Sequence, residues 1–155
     1  MTPAIEIARK HKIHHQVHEY AHDPAHQSYG QEASEKLGID QSRVFKTLVA
    51  RLDGRQLVVA VVPVSSQLSM KQLAKSAAAK KAAMADKAEV ERVTGYVLGG
   101  VSPLGQKKRL PTYIDSSAQQ FSSIYISAGR RGLEIELNPQ DLQKLLAAEF
   151  TTLCQ

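Results

Sequence analysis

The run from Val44 to Val64, VFKTLVARLDGRQLVVAVVPV, narrows the possible folds more than any other part of the chain. Val44 to Ala50 is apolar apart from Lys46 and Thr47, Asp53-Gly54 is a tight-turn signal, and Leu57 to Val64 returns as an apolar, β-branched strand. An Asp-Gly pair supplies the positive φ that a short hairpin connection needs, so the run predicts an antiparallel hairpin inside a sheet. Lys46 is a lone charge in that strand. It reads either as a solvent-facing side chain with only its stem covered, or as an amine pointed into a cleft where its charge acts on a substrate. Both readings stay open at the level of residue pattern.

Helices and strands alternate around this hairpin. Thr2-Pro3 opens a first helix as N-cap and first helical residue, and Ile13 to Tyr20 alternates as a strand. Gln31 to Leu37 reads as a helix stopped by Gly38, Gln67 to Ala79 as a second, and Asp86 to Val93 as a third capped by its aspartate. Short strands are expected at Ala82 to Met84, Thr112 to Ile114, Ser122 to Ser127 and Leu133 to Leu137, with a basic turn at Gly129 to Gly132. Asn138-Pro139 caps a last helix to about Ala148, with Leu142, Leu145 and Leu146 as its buried stripe. The order predicts an α+β or mixed α/β fold with a strongly curved sheet, without the strict βαβ rhythm of a dinucleotide-binding fold. A chain of 155 residues predicts one domain over 1–155. No tryptophan is available, so Val, Leu, Ile and Ala must build the core.

The only cysteine is Cys154, which excludes an internal disulfide framework and a cysteine-based zinc site and fits a reducing compartment. MTPAIEIARK has no apolar run for secretion and no stretch approaches membrane-spanning length, so the expectation is a soluble, cytoplasmic protein. All six histidines lie between His11 and His26. On a helix, His11, His14, His15 and His18 would cluster on one side, but the segment reads as a strand, and no metal or cofactor is expected.

The formal net charge is +5, and no acid occurs between Asp53 and Asp86 or between Arg92 and Asp115. Lys71, Lys75, Lys80, Lys81, Lys107, Lys108 and Arg109 fall in those windows. They read as a face for a polyanion such as nucleic acid, or as solvated basic surface. The second window, TGYVLGGVSPLGQKKRLPTYID from Thr94, pairs Gly99-Gly100 with Ser102-Pro103 and Gly105. Adjacent glycines let a backbone aim N–H groups at an anion or oxyanion, although the same pattern also serves as a turn between strands. A nucleotide P-loop is excluded, because Gln106 occupies the place of the phosphate-binding lysine.

Taken with MTPA at the start, HDP at His22 to Pro24, EKLGI at Glu35 to Ile39, FKTL at Phe45 to Leu48, MADK at Met84 to Lys87 and RGLEIEL at Arg131 to Leu137, the glycine window resembles the YbaK/EbsC family of free-standing aminoacyl-tRNA editing proteins over nearly the full length. The resemblance implies a mixed sheet closed towards a barrel, with helices around it and one small pocket. It implies removal of cysteine from Cys-tRNA(Pro), and in some members from Cys-tRNA(Cys), by attack of the substrate's own thiol to give a thiolactone. Lys46 matches the lysine of the FKTL-type motif, while Gly99 and Pro103 match a GxxxP element. Gly99, Gly100 and Val101 become the expected oxyanion donors beside Lys46, with Tyr20, Ser102, Pro103, Ser127 and Glu134 as substrate contacts. Two positions depart from the family pattern: Glu134 stands for an aspartate and Ala128 for a glycine. The basic residues named above become the expected tRNA contacts. No anticodon reader is evident, so the family precedent of a prolyl-tRNA synthetase partner is the expectation for tRNA selection. The oligomeric state is open. The alternatives are an editing hydrolase for another small amino acid, such as alanine on tRNA(Pro), using a bound water, and a non-catalytic nucleic-acid binding module.

Overall fold

A computed structural model describes residues 1–26 and 28–155. Among the described residues, eight strands fall into two sheets. The larger has the order β4-β2-β3-β5-β8, built from β2 (Phe45–Leu52), β3 (Gln56–Pro63), β4 (Ala82–Met84), β5 (Thr112–Asp115) and β8 (Glu149–Thr151). β2 pairs antiparallel with β3 and β4, whereas β3–β5 and β5–β8 are parallel. The smaller sheet is antiparallel, in the order β1 (His15–Glu19), β7 (Leu133–Leu137), β6 (Ile124–Arg130).

The hairpin forms as its sequence dictates, with β3 in the middle of the larger sheet. Val58, Val59, Ala60, Val61 and Val62 are all fully buried. Strict alternation of facing then divides the strand between two apolar layers. Val59 and Val61 pack into the main core with Phe45, Ile126, Ile135 and Leu104. Val58, Ala60 and Val62 pack on the opposite face with Leu52, Leu73 and Leu153.

Five helices are set by side-chain caps. Thr2 accepts from the Ile5 N–H at 3.3 Å to start α1 (Pro3–Lys10), and its hydroxyl also donates to the Ala128 carbonyl of β6. Ser28 starts α2 (Tyr29–Leu37), which ends at Gly38. Asp86 starts α4 (Lys87–Thr94), and Asn138 starts α5 (Pro139–Leu146). The helix expected over Gln67–Ala79 is shorter, α3 (Met70–Ser76). Leu68 is held in a bridge to Cys154, Ser69 becomes the N-cap, and Ala78 at φ 55° ends the run.

The barrel-like closure expected of the sheet is not observed. The two sheets pack on each other through the shared core but remain separate, their backbones paired only at one parallel bridge, Val44 to Tyr125. Beyond that bridge β2 turns to pair with β3, and β4 covers its other edge only at Ala50–Leu52. The edge at Phe45–Leu48 is left open, and this is where the site lies. Strand β6 also runs further than expected, to Arg130, through a bulge after Ser127. The basic turn expected at Gly129 to Gly132 is therefore confined to Arg131-Gly132. Among the described residues no helix is long and apolar enough to cross a membrane.

Candidate functional site

A cavity of about 430 Å³ opens at the junction of the two sheets. One wall is the open edge of β2, with Lys46, Thr47 and Leu48. The smaller sheet contributes Ser127 and Glu134, which are register partners, and Tyr20 lies just beyond β1. The first turn of α2 supplies Ser28, Tyr29 and Gly30, and the glycine window supplies Leu98, Gly99 and Val101. Lys46, Gly99, Val101, Tyr20, Ser127 and Glu134 are thus brought to one space from segments far apart in the chain.

Three residues expected at this site are placed elsewhere. Gly100 is buried, its N–H donates to the Val97 carbonyl at 2.9 Å, and a Cβ there would stand 2.7 Å from the Arg130 Cα. Ser102 is fully buried and forms the turn itself, its hydroxyl accepting from the Leu104 N–H at 3.2 Å. Pro103 lines a separate cavity of about 210 Å³ against Ile7 and Leu145. By contrast, the N–H groups of Gly99 and Val101 find no acceptor among the described residues. Gly99 sits at φ +93°, with Tyr29 where a side chain would have to go: a Cβ would lie 2.8 Å from the ring. Only glycine fits both the conformation and the contact.

Glu134 is the electrostatic oddity of the cavity. It is 7% exposed, and among the described residues no hydrogen bond or ion pair reaches its carboxyl. Burial pushes its pKa up to about 8. The Tyr20 phenol is raised to about 12, first by burial and then by the Glu134 charge. The Thr47 hydroxyl is also buried without a partner. Cys154 does not line the cavity. Its thiol is pushed up to about 12 by burial and by the Asp115 carboxylate, with the Lys46 charge pulling weakly the other way. Such a thiol is not a ready nucleophile. No histidine lines the cavity either, so its hydroxyls have no imidazole base.

The seven basic residues singled out above are all exposed, and none is in an ion pair among the described residues. Four of them line two adjoining hollows. Lys108 and Arg109 line a cleft with Arg51, Arg55 and Arg92, in which Glu89 takes up the charge of Arg51 and, at 3.6 Å, of Arg92. Lys80 and Lys81 line an adjoining hollow that shares Arg55. Lys71 and Lys75 stand on α3 and Lys107 on the glycine loop, outside both. The histidines separate as well: His18 bonds Glu136 at 2.9 Å, His22 bonds Glu32 at 3.3 Å, and His26 bonds Glu35 at 3.2 Å.

Sequence reasoning passed over Tyr29, Thr47 and Leu98. Thr47 was legible in principle as the neighbour of Lys46 in the same strand. Tyr29 and Leu98 had no local signal, because their place depends on α2 docking over the glycine turn.

Comparison with known proteins gives the chain its family. The family described as Aminoacyl-tRNA editing domain matches residues 22–145. EbsC of Enterococcus faecalis, named as a candidate Cys-tRNA(Pro)/Cys-tRNA(Cys) deacylase, is 40% identical over 149 residues, covering 96% of this chain and 90% of that one. The multifunctional Ser/Thr-tRNA deacylase ProXp-y of Escherichia coli is 27% identical over 124 residues, 77% of this chain and 74% of its own. A crystal structure described as a candidate trans-editing enzyme for prolyl-tRNA synthetase superposes with a TM-score of 0.83 at 20% identity, covering 100% of this chain and 99% of that one, a likeness of fold. The chain belongs to the aminoacyl-tRNA editing domain family, within its YbaK/EbsC group.

Proposed function

We propose that this chain removes cysteine from mischarged Cys-tRNA(Pro), and that the substrate supplies the nucleophile. The observation that carries the reading is the content of the cavity. Its lining gathers Lys46, the buried carboxyl of Glu134 and the residues Gly99 and Val101, whose N–H groups have no acceptor among the described residues, without an imidazole or a thiol. Attack on an ester carbonyl puts negative charge on its oxygen, and the N–H groups of Gly99 and Val101 with the Lys46 ammonium are suited to hold it. In the proposed reaction the cysteinyl sulfur forms the C–S bond, the ester C–O bond to the terminal ribose breaks, and the thiol proton ends on the released ribose hydroxyl. The products are a thiolactone and free tRNA. Holding sulfur and carbonyl in a near-attack geometry is worth several kcal/mol, up to roughly 7–11.

Glu134 is the group for the substrate's α-ammonium. A positive charge placed beside this carboxyl favours its ionised form, so binding of the ammonium and loss of the carboxyl proton go together. Lys46 orients the terminal ribose and phosphate. Gly100, Ser102 and Pro103 shape the turn and do not meet the substrate. Lys108, Arg109, Lys80 and Lys81 follow the tRNA backbone together with Arg55, and Lys107, Lys71 and Lys75 add a diffuse positive field. Selection of tRNA(Pro) falls to prolyl-tRNA synthetase as a partner, on the precedent of the family.

Deacylation of Cys-tRNA(Pro) beside its S-methylated form tests the chemistry. The free thiol substrate is consumed and the blocked one survives. Cleavage of the blocked ester, or of Ser- and Ala-tRNA at the same rate, assigns the attack to water instead. Full activity in Lys46→Arg removes the specific role given to that amine.

A further inference from the structure

Three segments distant in sequence converge behind the glycine turn. Glu32 of α2 is fully buried. Burial opposes its charge, but the Asp23 N–H at 2.8 Å, His22, Arg131 and Lys36 outweigh it and hold its pKa at about 2. The carboxylate is therefore a permanent anchor at physiological pH. Arg131, in the turn between β6 and β7, donates through Nε to Glu32 Oε1 at 3.3 Å and through Nη2 to the Asp23 carbonyl at 3.1 Å. Another bond from Nη2 reaches the His26 carbonyl. So fixed, its guanidinium lies 4.1 Å from the centroid of the Tyr29 ring, within cation–π range. Tyr29 in turn contacts Gly99, while Gly100 abuts the backbone of Arg130, next to Arg131. Arg131 is thus engaged inside the molecule and is not part of a polyanion surface.

We propose that Glu32, Arg131 and Tyr29 are positioning residues that hold the Gly99–Gly100 turn so that the N–H groups of Gly99 and Val101 stay aimed into the cavity. This rests on the reading that those N–H groups stabilise the reacting carbonyl. Three observations support it. The chain of contacts starts from a buried carboxylate both of whose oxygens have partners, and it ends on Gly99, where only glycine fits. The Tyr29 hydroxyl makes no hydrogen bond among the described residues, so its ring is what the arrangement uses. Finally, both glycines are wedged against elements that Arg131 itself ties together.

The test uses the full chain and Cys-tRNA(Pro). Tyr29→Phe keeps the ring and leaves exchange of the Gly100 N–H within about twofold of wild type. Tyr29→Leu and Arg131→Gln lower kcat by at least about tenfold, up to the hundredfold that a misplacement near 1 Å produces, with KM changed less than threefold. Amide hydrogen exchange on the same proteins reads the turn directly. The Gly100 N–H, bonded to Val97, exchanges at least about tenfold faster in Arg131→Gln than in wild type, while the β3 amides keep their rates. Unchanged Gly100 exchange, or a KM increase with kcat intact, overturns the proposal. If wild type deacylates none of the aminoacyl-tRNAs offered, the functional reading fails, and the exchange experiment still decides whether the three residues hold the turn.

Discussion

Replacing Glu134 by glutamine removes one ionisable proton and keeps the shape of the side chain. In the unfolded chain the carboxyl ionises at its ordinary value of 4.5; in the folded cavity it does so at about 8. Between these values the folded state holds a proton that the unfolded state has released. The group is therefore neutral and harmless below pH 4.5, and it destabilises the fold progressively as pH rises to 8. At ~1.36 kcal/mol per pH unit the full penalty is about 5 kcal/mol above pH 8, about 3 at pH 7 and about 1 at pH 5. Glutamine carries no such penalty. Urea unfolding of both proteins from pH 5 to pH 9 should show near-equal stability at the acid end. A gap in favour of Glu134→Gln should then open by about 4 kcal/mol toward the alkaline end. Parallel curves over the whole range would refute the argument, because they would mean that the carboxyl is hydrated or paired.

Further outcomes follow from the same geometry. N-acetylated Cys-tRNA should be a poorer substrate than free Cys-tRNA for wild type, and Glu134→Gln should narrow that ratio; an unchanged ratio places the α-amino group elsewhere. Lys46→Ala should reduce kcat about 10²-fold, the scale of a lost oxyanion partner, as read by single-turnover deacylation. Gly100→Ala puts a methyl 2.7 Å from the Arg130 Cα, a backbone atom that cannot swing aside, and should cost about 1–3 kcal/mol in urea unfolding. Replacing Lys108 and Arg109 by alanine should lower the magnitude of the log–log salt slope for tRNA binding by about 1.4–1.8, whereas Lys71→Ala alone should change it less than either of those residues.

Much of the scaffold could be read from local chemistry. Thr2-Pro3, Asp86 and Asn138-Pro139 cap their helices as their side chains require, and Asp53-Gly54 turns the hairpin. These signals act within four residues and need no knowledge of the rest. What local patterns could not supply is pairing between distant segments. Strand β8 went unseen because Glu149–Thr151 is too short to show a strand period of its own and is recruited by the edge of β5. The open edge of β2 depends on where β4 stops, which no feature of Phe45–Leu48 reveals. At the site, the sequence shows two adjacent glycines but not their division of labour: Gly99 faces the cavity and Gly100 faces Arg130. Likewise Arg131 looks like surface charge until Glu32, 99 positions away, is folded against it.

The open edge of β2 has a consequence for how the active protein comes into being. Tyr20, Lys46, Gly99, Ser127 and Glu134 share a space only once both sheets have docked on each other. The hairpin alone, however early it forms, encloses nothing. Contacts of such long sequence separation are reached late, since loop closure has to precede any gain from them. Catalysis therefore serves as an all-or-none gauge of complete assembly, and a chain arrested with a formed hairpin and an undocked smaller sheet handles no tRNA end at all.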